Sequence, residues 1–279
     1  MKIKRICLTV MLMALCASPV LAEETPGNAG ASAWEKPCID APYGWSYEDA
    51  YRSIVINRVS EDNLTYFVAD VQIADGSVWK SVTASGMAPL TTLVAGTDAV
   101  LAINGDDYGA HKYGVIIRNG KIFREKDTTR HMLIVESDGN LSMVTDRKKN
   151  DCKELADRLL SENVWQTYEF GPALIENGEA LSFPKAFDVI STRATRKEPR
   201  TAIGQISPLH YCVIVVDGRQ PGYSEGISLQ DLQQLFLRYG VQLAFNLDGG
   251  GSTEIWFQRE IINRPSGEHE RSISDAICF

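Results

Sequence analysis

The chain is short of positive charge, of histidine and of long apolar runs, and each shortage removes a class of function. Its 28 Lys and Arg face 36 Asp and Glu, a formal net charge of −8. An acidic chain offers no electrostatic footprint for nucleic acid or anionic lipid, so any phosphate it binds must be held by a local site. Only four histidines occur, His111, His131, His210 and His269, and none has the spacing of a metal-ligand pair. No cysteines are spaced CxxC, and no phosphate-binding P-loop is present. Beyond the first 22 residues no apolar stretch is long enough to cross a bilayer.

The N-terminus indicates the compartment. Lys2, Lys4 and Arg5 form a basic start, Ile6 to Leu15 is uncharged and mostly apolar, and Val20 and Ala22 occupy the −3 and −1 positions of a cleavage site. This is the pattern of a secretory signal peptide over residues 1–22, cut after Ala22. A lipoprotein cut at Cys16 is disfavoured by the bulky Leu15 before it. The mature chain is expected to be secreted or periplasmic, without stable membrane insertion, and its net charge falls to −11 as three cations leave. Residues 23–40 are small, polar and Pro/Gly-bearing and read as a flexible arm, with one domain over 41–279. Cys38, Cys152, Cys212 and Cys278 remain after cleavage. An oxidising compartment permits disulfides, so at most two free thiols are expected, although Cys212 and Cys278 sit in apolar runs that suit buried thiols equally well.

Leu64 to Ile73 partly alternates, as in a half-buried strand. Asn119-Gly120, Asp138-Gly139 and Asn177-Gly178 each lie between apolar runs and signal hairpin turns. Residues 151–161 read as a helix capped by Asn150 or Asp151, and Arg147-Lys148-Lys149 as a solvated loop. Tyr211 to Val216 is a strand buried on both faces. Ser228 with Asp231 makes a capping box, Leu229, Leu232, Leu235 and Phe236 follow at helical spacing, and Gly240 stops the helix. Val241 to Phe245 is a second buried strand. Strand, helix and strand form a βαβ crossover with parallel strands. The fold class is therefore α+β, with a largely β-sheet core, at least one parallel βαβ unit and several hairpins.

That crossover sends Asp217-Gly218-Arg219 and Asn246-Leu247-Asp248-Gly249-Gly250-Gly251-Ser252 off one sheet edge, where open α/β sheets place ligands. Three consecutive glycines permit positive φ and close backbone approach, and successive bare N–H groups would make an anion nest beside Ser252 and Thr253. Arg200, in Glu198-Pro199-Arg200-Thr201, suits bidentate phosphate recognition. Ala99 to Ile103 is a third strand running into Asn104, Asp106 and Asp107, which are candidate acid–base groups or oxygen ligands for a cation.

Taken in order, these segments resemble the phosphodiester glycosidase family from about Tyr66 to the C-terminus. The resemblance includes Ala102-Ile103-Asn104-Gly105, Phe170-Gly171-Pro172-Ala173-Leu174, Pro199 to Gly204, Val216 to Arg219, Gly226 to Leu229, Asn246 to Ser252, Ile262 to Ser266 and Arg271 to Ser274. Asp106-Asp107-Tyr108 stands where the family often carries Gly-Phe-Phe. The resemblance implies hydrolysis of an α-linked N-acetylglucosamine from a phosphodiester in an envelope or extracellular glycan. Sugar or sugar-phosphate transfer in exopolysaccharide modification, and non-catalytic glycan-phosphate binding, are the alternatives.

On this reading Arg200 and the Gly249–Ser252 nest hold the phosphate. Asp248, or else Asp217, supplies the carboxylate. Asn104 and Asn246 hold sugar groups, and Asp106, Asp107 and Arg219 complete substrate binding. No cofactor is expected; a divalent cation and the oligomeric state are left open.

Overall fold

The frame is set by runs of Val, Ile, Phe and Tyr too apolar for either face to meet water. In a computed structural model, which describes residues 34–40, 44–147, 151–183, 194–267 and 269–279, the strand His210–Val216 (β14) shows this directly. Tyr211, Val213 and Val215 point into one core, and Cys212, Ile214 and Val216 into another on the opposite face. The proposed leader and residues 23–33 of the proposed arm lie outside the described residues.

β14 is central in an eight-stranded sheet. The spatial order is β1 (Gly44–Glu48), β2 (Arg52–Glu61), β3 (Leu64–Ile73), β14, β13 (Arg200–Ser207), β15 (Leu243–Asn246), β11 (Ala173–Glu176) and β12 (Glu179–Ala180). One face packs on a five-stranded sheet, β17 (Glu260–Ile261), β16 (Ile255–Phe257), β5 (Leu101–Asn104), β18 (Ile273–Cys278) and β4 (Lys80–Ala88), and on β10 (Val164–Tyr168), β8 (Met132–Glu136) and β9 (Leu141–Val144). The other face is covered by the helix Leu229–Arg238 (α3), whose Leu229, Leu232, Leu235 and Phe236 enter the second core. Ser228 caps α3 by accepting from the Asp231 amide, as the capping box requires. A shorter helix, α1 (Leu90–Val94), packs on the five-stranded sheet, and α2 (Cys152–Ser161) packs on the hairpin β6 (Gly114–Arg118)–β7 (Lys121–Lys126). All three expected hairpin turns are present, between β6 and β7, β8 and β9, and β11 and β12.

The crossover differs from expectation in one respect that matters. β14 and β15 do run the same way, but β13 lies between them and is antiparallel to both, pairing Thr201 with Val215 and Ala202 with Asn246. Every strand pairing among the described residues is antiparallel. The inserted strand brings its own N-terminal residue, Arg200, to the edge where β14 and β15 end. The third strand exit, at Asn104, comes from the other sheet.

β3 is buried on both faces rather than half-buried, because residues 34–40 cover its polar positions. The Glu35 amide donates to Gln72 Oε1 at 2.7 Å, Gln72 Nε2 returns a bond to the Glu35 carbonyl, and the Cys38 amide donates to Asp70 Oδ2 at 2.7 Å. This end of the expected arm is thus a bound strap. All four expected cysteines are free thiols here, three of them buried. The disulfide expectation is not met.

His210 locks the strap, with Nε2 at 2.8 Å from Asp70 and Nδ1 at 3.0 Å from Glu35. Burial alone would lower its pKa, but the two carboxylates outweigh it and raise it. Burial likewise would raise Asp70, yet its donors hold it below the usual range. A histidine raised in the folded state contributes stability below its unfolded pKa of about 6.5 and loses it as pH rises through the folded value. His210→Gln is therefore expected to destabilise by about 1–3 kcal/mol near pH 6, with the gap narrowing toward pH 9. Thermal denaturation across that range checks it; a gap independent of pH would contradict the charged pair.

Candidate active site

The C-terminal ends of β14 and β15, the N-terminal end of β13 and the start of β11 share one sheet edge, and a cleft of about 960 Å³ opens there. Asn246 fixes the β11 side, its amide donating to the Pro172 carbonyl at 3.1 Å and its Nδ2 to the Gly171 carbonyl at 2.8 Å. The second sheet is joined underneath. Asn104 Nδ2 donates to the Asp248 carbonyl at 2.6 Å, and its Oδ1 accepts from the Thr201 hydroxyl and the Glu254 amide.

The glycine loop is built differently from an anion nest. The Gly249 amide donates to Asp248 Oδ1, Gly250 to the Pro199 carbonyl, Ser252 to Gly249 and Thr253 to Gly250. Only the Gly251 amide has no acceptor among the described residues. Two glycines are needed for space and backbone shape: a Cβ on Gly249 would meet the Pro199 carbonyl at 2.8 Å, and Gly250 has φ +62°. The bare backbone admits two guanidinium groups. Arg219 Nη2 lies 3.0 Å from where a Gly250 Cβ would stand, and Arg271 lies against Gly251. Arginines thus supply the charge expected of the backbone.

Asp248 is half-buried on the cleft wall. Burial raises its pKa, and the nearby Asp107 charge adds to this. The Ser252 hydroxyl, the Gly249 amide and the Arg271 charge work the other way. Asp107 also lines the cleft, but its Oδ1 is held by His111 Nε2 at 2.9 Å and Arg130 Nη1 at 2.7 Å. Burial would raise Asp107; those partners outweigh it and hold it at about 2. Arg200 reaches the cleft while donating Nε to the Ile227 carbonyl and Nη2 to the Arg196 carbonyl. Arg219 donates Nε to Glu198 at 2.6 Å, and Asn246 borders the cleft with Oδ1 unbonded among the described residues.

Three expected site residues serve as scaffold instead. Asp217 is 1 % exposed and does not line the cleft. Its carboxylate accepts from Asn263 Nδ2 and the Tyr223 hydroxyl, each at 2.8 Å, and from the Arg264 amide. Asn104 is fully buried and positions Asp248. Asp106 is buried too, accepting from the Glu169 and Asp107 amides and facing Arg118. Asp106, Asp107 and His111 cluster closely enough to hold a cation, but hydrogen bonds and ion pairs within the protein already engage both carboxylates.

Arg130, Arg147, Arg196 and Arg271 reach the cleft without having been expected there. Arg147 is buried and paired with Glu169 rather than solvated. Of the four, only Arg271 stood in a segment carrying the family resemblance. Gly222-Tyr223-Ser224-Glu225-Gly226 has the GxSxG spacing of a nucleophile elbow, yet Ser224 is fully buried and donates to the Asp217 carbonyl at 2.6 Å.

Glu254 sits just behind this wall, fully buried, with neither carboxylate oxygen hydrogen-bonded among the described residues. Burial, then the Glu270 charge, push its pKa up to about 8; the nearby Arg271 backbone N–H works the other way without completing a hydrogen bond. A carboxyl raised in the folded state costs stability increasingly as pH climbs from the unfolded to the folded pKa. Glu254→Gln should therefore leave stability near pH 4 unchanged and increase it by about 1–3 kcal/mol at pH 7. Denaturation at the two pH values checks this, and a destabilised variant at pH 7 would contradict it.

Comparison with known proteins agrees with this architecture. Residues 97–279 match the family model of the phosphodiester glycosidases. The SPbeta prophage-derived uncharacterized protein YomE of Bacillus subtilis (strain 168) is 30% identical over 188 residues, 65% of this chain but only 28% of its own length. The fold resembles the zebrafish N-acetylglucosamine-1-phosphodiester alpha-N-acetylglucosaminidase catalytic domain, auto-inhibited by its pro-peptide, with a TM-score of 0.65 and 18% identity over 81% of this chain and 82% of that one. A hypothetical protein from Synechocystis gives a TM-score of 0.62 at 14% identity, covering 86% of this chain and 64% of that one. With more than half the chain inside the family model, and Asp248, the glycine loop and the cleft arginines all within it, the protein belongs to the phosphodiester glycosidase family.

Proposed function

We propose that the protein hydrolyses the glycosidic C–O bond of a sugar-1-phosphodiester, of the α-N-acetylglucosamine type, in a glycan outside the cytoplasm. The observation that carries this reading is a half-buried carboxylate, Asp248, beside two guanidinium groups laid over a glycine loop. Ordinary glycosidases need a second carboxyl group to protonate a poor leaving group. Here the leaving group is a phosphomonoester, already a stable anion, whose further proton has a pKa of about 6. Charge neutralisation replaces proton donation. Arg219 and Arg271 receive the departing phosphate in a partly dehydrated cleft, where fixed charges act strongly.

Among the cleft carboxylates, Asp107 and Glu198 are engaged by arginines and Asp146 is exposed. That leaves Asp248 for the anomeric carbon. Its carboxylate attacks that carbon as the sugar–phosphate C–O bond breaks and the bonding pair leaves with the phosphate. Water then attacks the same carbon as the ester C–O bond breaks. Its oxygen stays on the sugar, the bonding pair returns to the Asp248 carboxylate, and the released proton passes to the phosphomonoester or to solvent. Asn246, with an unengaged amide oxygen, suits a sugar hydroxyl or acetamido N–H. The N-terminal leader pattern supports action after export.

Incubation with N-acetylglucosamine-1-phosphodiesters, with products identified by mass spectrometry, tests this: free sugar and phosphomonoester are expected, and their absence would reject hydrolysis. Asp248→Asn keeps size and removes charge, and should lower kcat at least about a hundredfold, roughly 2.7 kcal/mol, while phosphomonoester binding persists. Near-normal turnover by that variant would remove Asp248 from the chemistry.

A further inference from the structure

The four cysteines are free thiols in this structure, and two of them touch. Cys212 faces the second core from the middle of β14, and Cys38 packs on that same core from the strap. The Cys212 thiol is in hydrogen-bonding contact with the Cys38 thiol.

Asp70 explains the meeting. It is the cross-strand partner of Cys212, so the two side chains stand on one face of the sheet. Its carboxylate accepts from the Cys38 amide at 2.7 Å and from the Cys38 thiol as well. The strap is pinned on either side of Cys38, by the Glu35–Gln72 bonds and by Ile39, which is buried in the second core. The Tyr239 phenol, just beyond α3, lies near both sulfurs. The other two cysteines belong to different cores, Cys152 beside the β6–β7 hairpin and Cys278 beside α1. Sulfurs already in contact reach the S–S bond length of about 2.05 Å by small side-chain rotations.

We propose that Cys38 and Cys212 are a dithiol pair that oxidises to an intramolecular disulfide, fastening the strap of residues 34–40 to β14. The oxidant is another disulfide, of a small molecule or of a protein. Cys38 is the half-buried member and Cys212 the fully buried one, which sets the order of events. The Cys38 sulfur attacks one sulfur of the oxidant, its proton goes to the thiolate expelled, and a mixed disulfide forms. The Cys212 sulfur then attacks the Cys38 sulfur, the bond to the oxidant breaks, and the Cys212 proton goes to the second thiolate. Two protein thiols are oxidised while the oxidant's disulfide is reduced to two thiols.

The consequence is mechanical. Cys38 and Cys212 stand 174 positions apart, so the bond closes a long loop and restricts the unfolded chain strongly. It also keeps Asp70 and Gln72 covered at a pH where His210 has lost its charge and the ionic part of the strap's attachment is gone.

The bond is tested on the purified full chain, oxidised with oxidised glutathione, alkylated under denaturing conditions and mapped as peptides without reduction. A peptide linking Cys38 to Cys212 is expected, with Cys152 and Cys278 alkylated. Recovery of Cys38 alkylated, glutathionylated or linked to a different cysteine overturns the proposal. Thermal denaturation tests the fastening. The oxidised chain should melt about 5–10 °C above the same chain kept reduced, and Cys38→Ser should melt alike under both conditions. Equal Tm for the two wild-type states, or a difference that survives in Cys38→Ser, refutes the fastening role.

Discussion

Asn104 is the joint on which the site depends. Its side chain donates to the Asp248 carbonyl and accepts from Thr201 and Glu254, so one fully buried amide ties β5 of the smaller sheet to β13 and to both ends of the glycine loop. Leaving any of those groups unpaired in the core costs about 1–3 kcal/mol. With the joint made, the Asp248 backbone is held at both its carbonyl, by Asn104, and its amide, by the Gly105 carbonyl. The glycine turn folds over Pro199, and Arg219 and Arg271 lie on its bare backbone.

The second constraint is the placement of β13. A strand running antiparallel between two parallel ones turns a single sheet edge into a meeting point of two C-terminal exits and one N-terminal entry. Arg200, Arg219 and Asp248 come together for that reason, although 48 residues separate the first from the last in the chain. Nothing local to any of these segments specifies it.

That explains what could and could not be read from the chain. Buried runs, hairpin turns and the capping box at Ser228 are written in neighbouring residues, and each formed where expected. Asp217 and Asp248 look alike in sequence, each an aspartate after a buried strand and before glycine. Only the tertiary structure shows that Asn263, Tyr223 and the Arg264 amide consume the first. The anion nest failed on the same ground. Whether a glycine amide is bare depends on distant carbonyls such as Pro199, which no turn propensity reports. The half-buried reading of β3 missed the strap, because Asp70 and Gln72 look solvent-facing until residues 34–40 cover them.

The electrostatic logic of the protein is thus an acidic chain with an arginine-lined cleft, in which Asp248 is a half-buried carboxylate with no arginine ion pair among the described residues. This arrangement fits chemistry in which the leaving group departs as an anion and needs no proton. Hydrolysis of a sugar-1-phosphodiester in oxygen-18 water tests the point most directly. Attack at the anomeric carbon places the label in the released sugar and none in the phosphomonoester. Label in the phosphomonoester would mean attack at phosphorus, and the role given to Asp248 would be wrong.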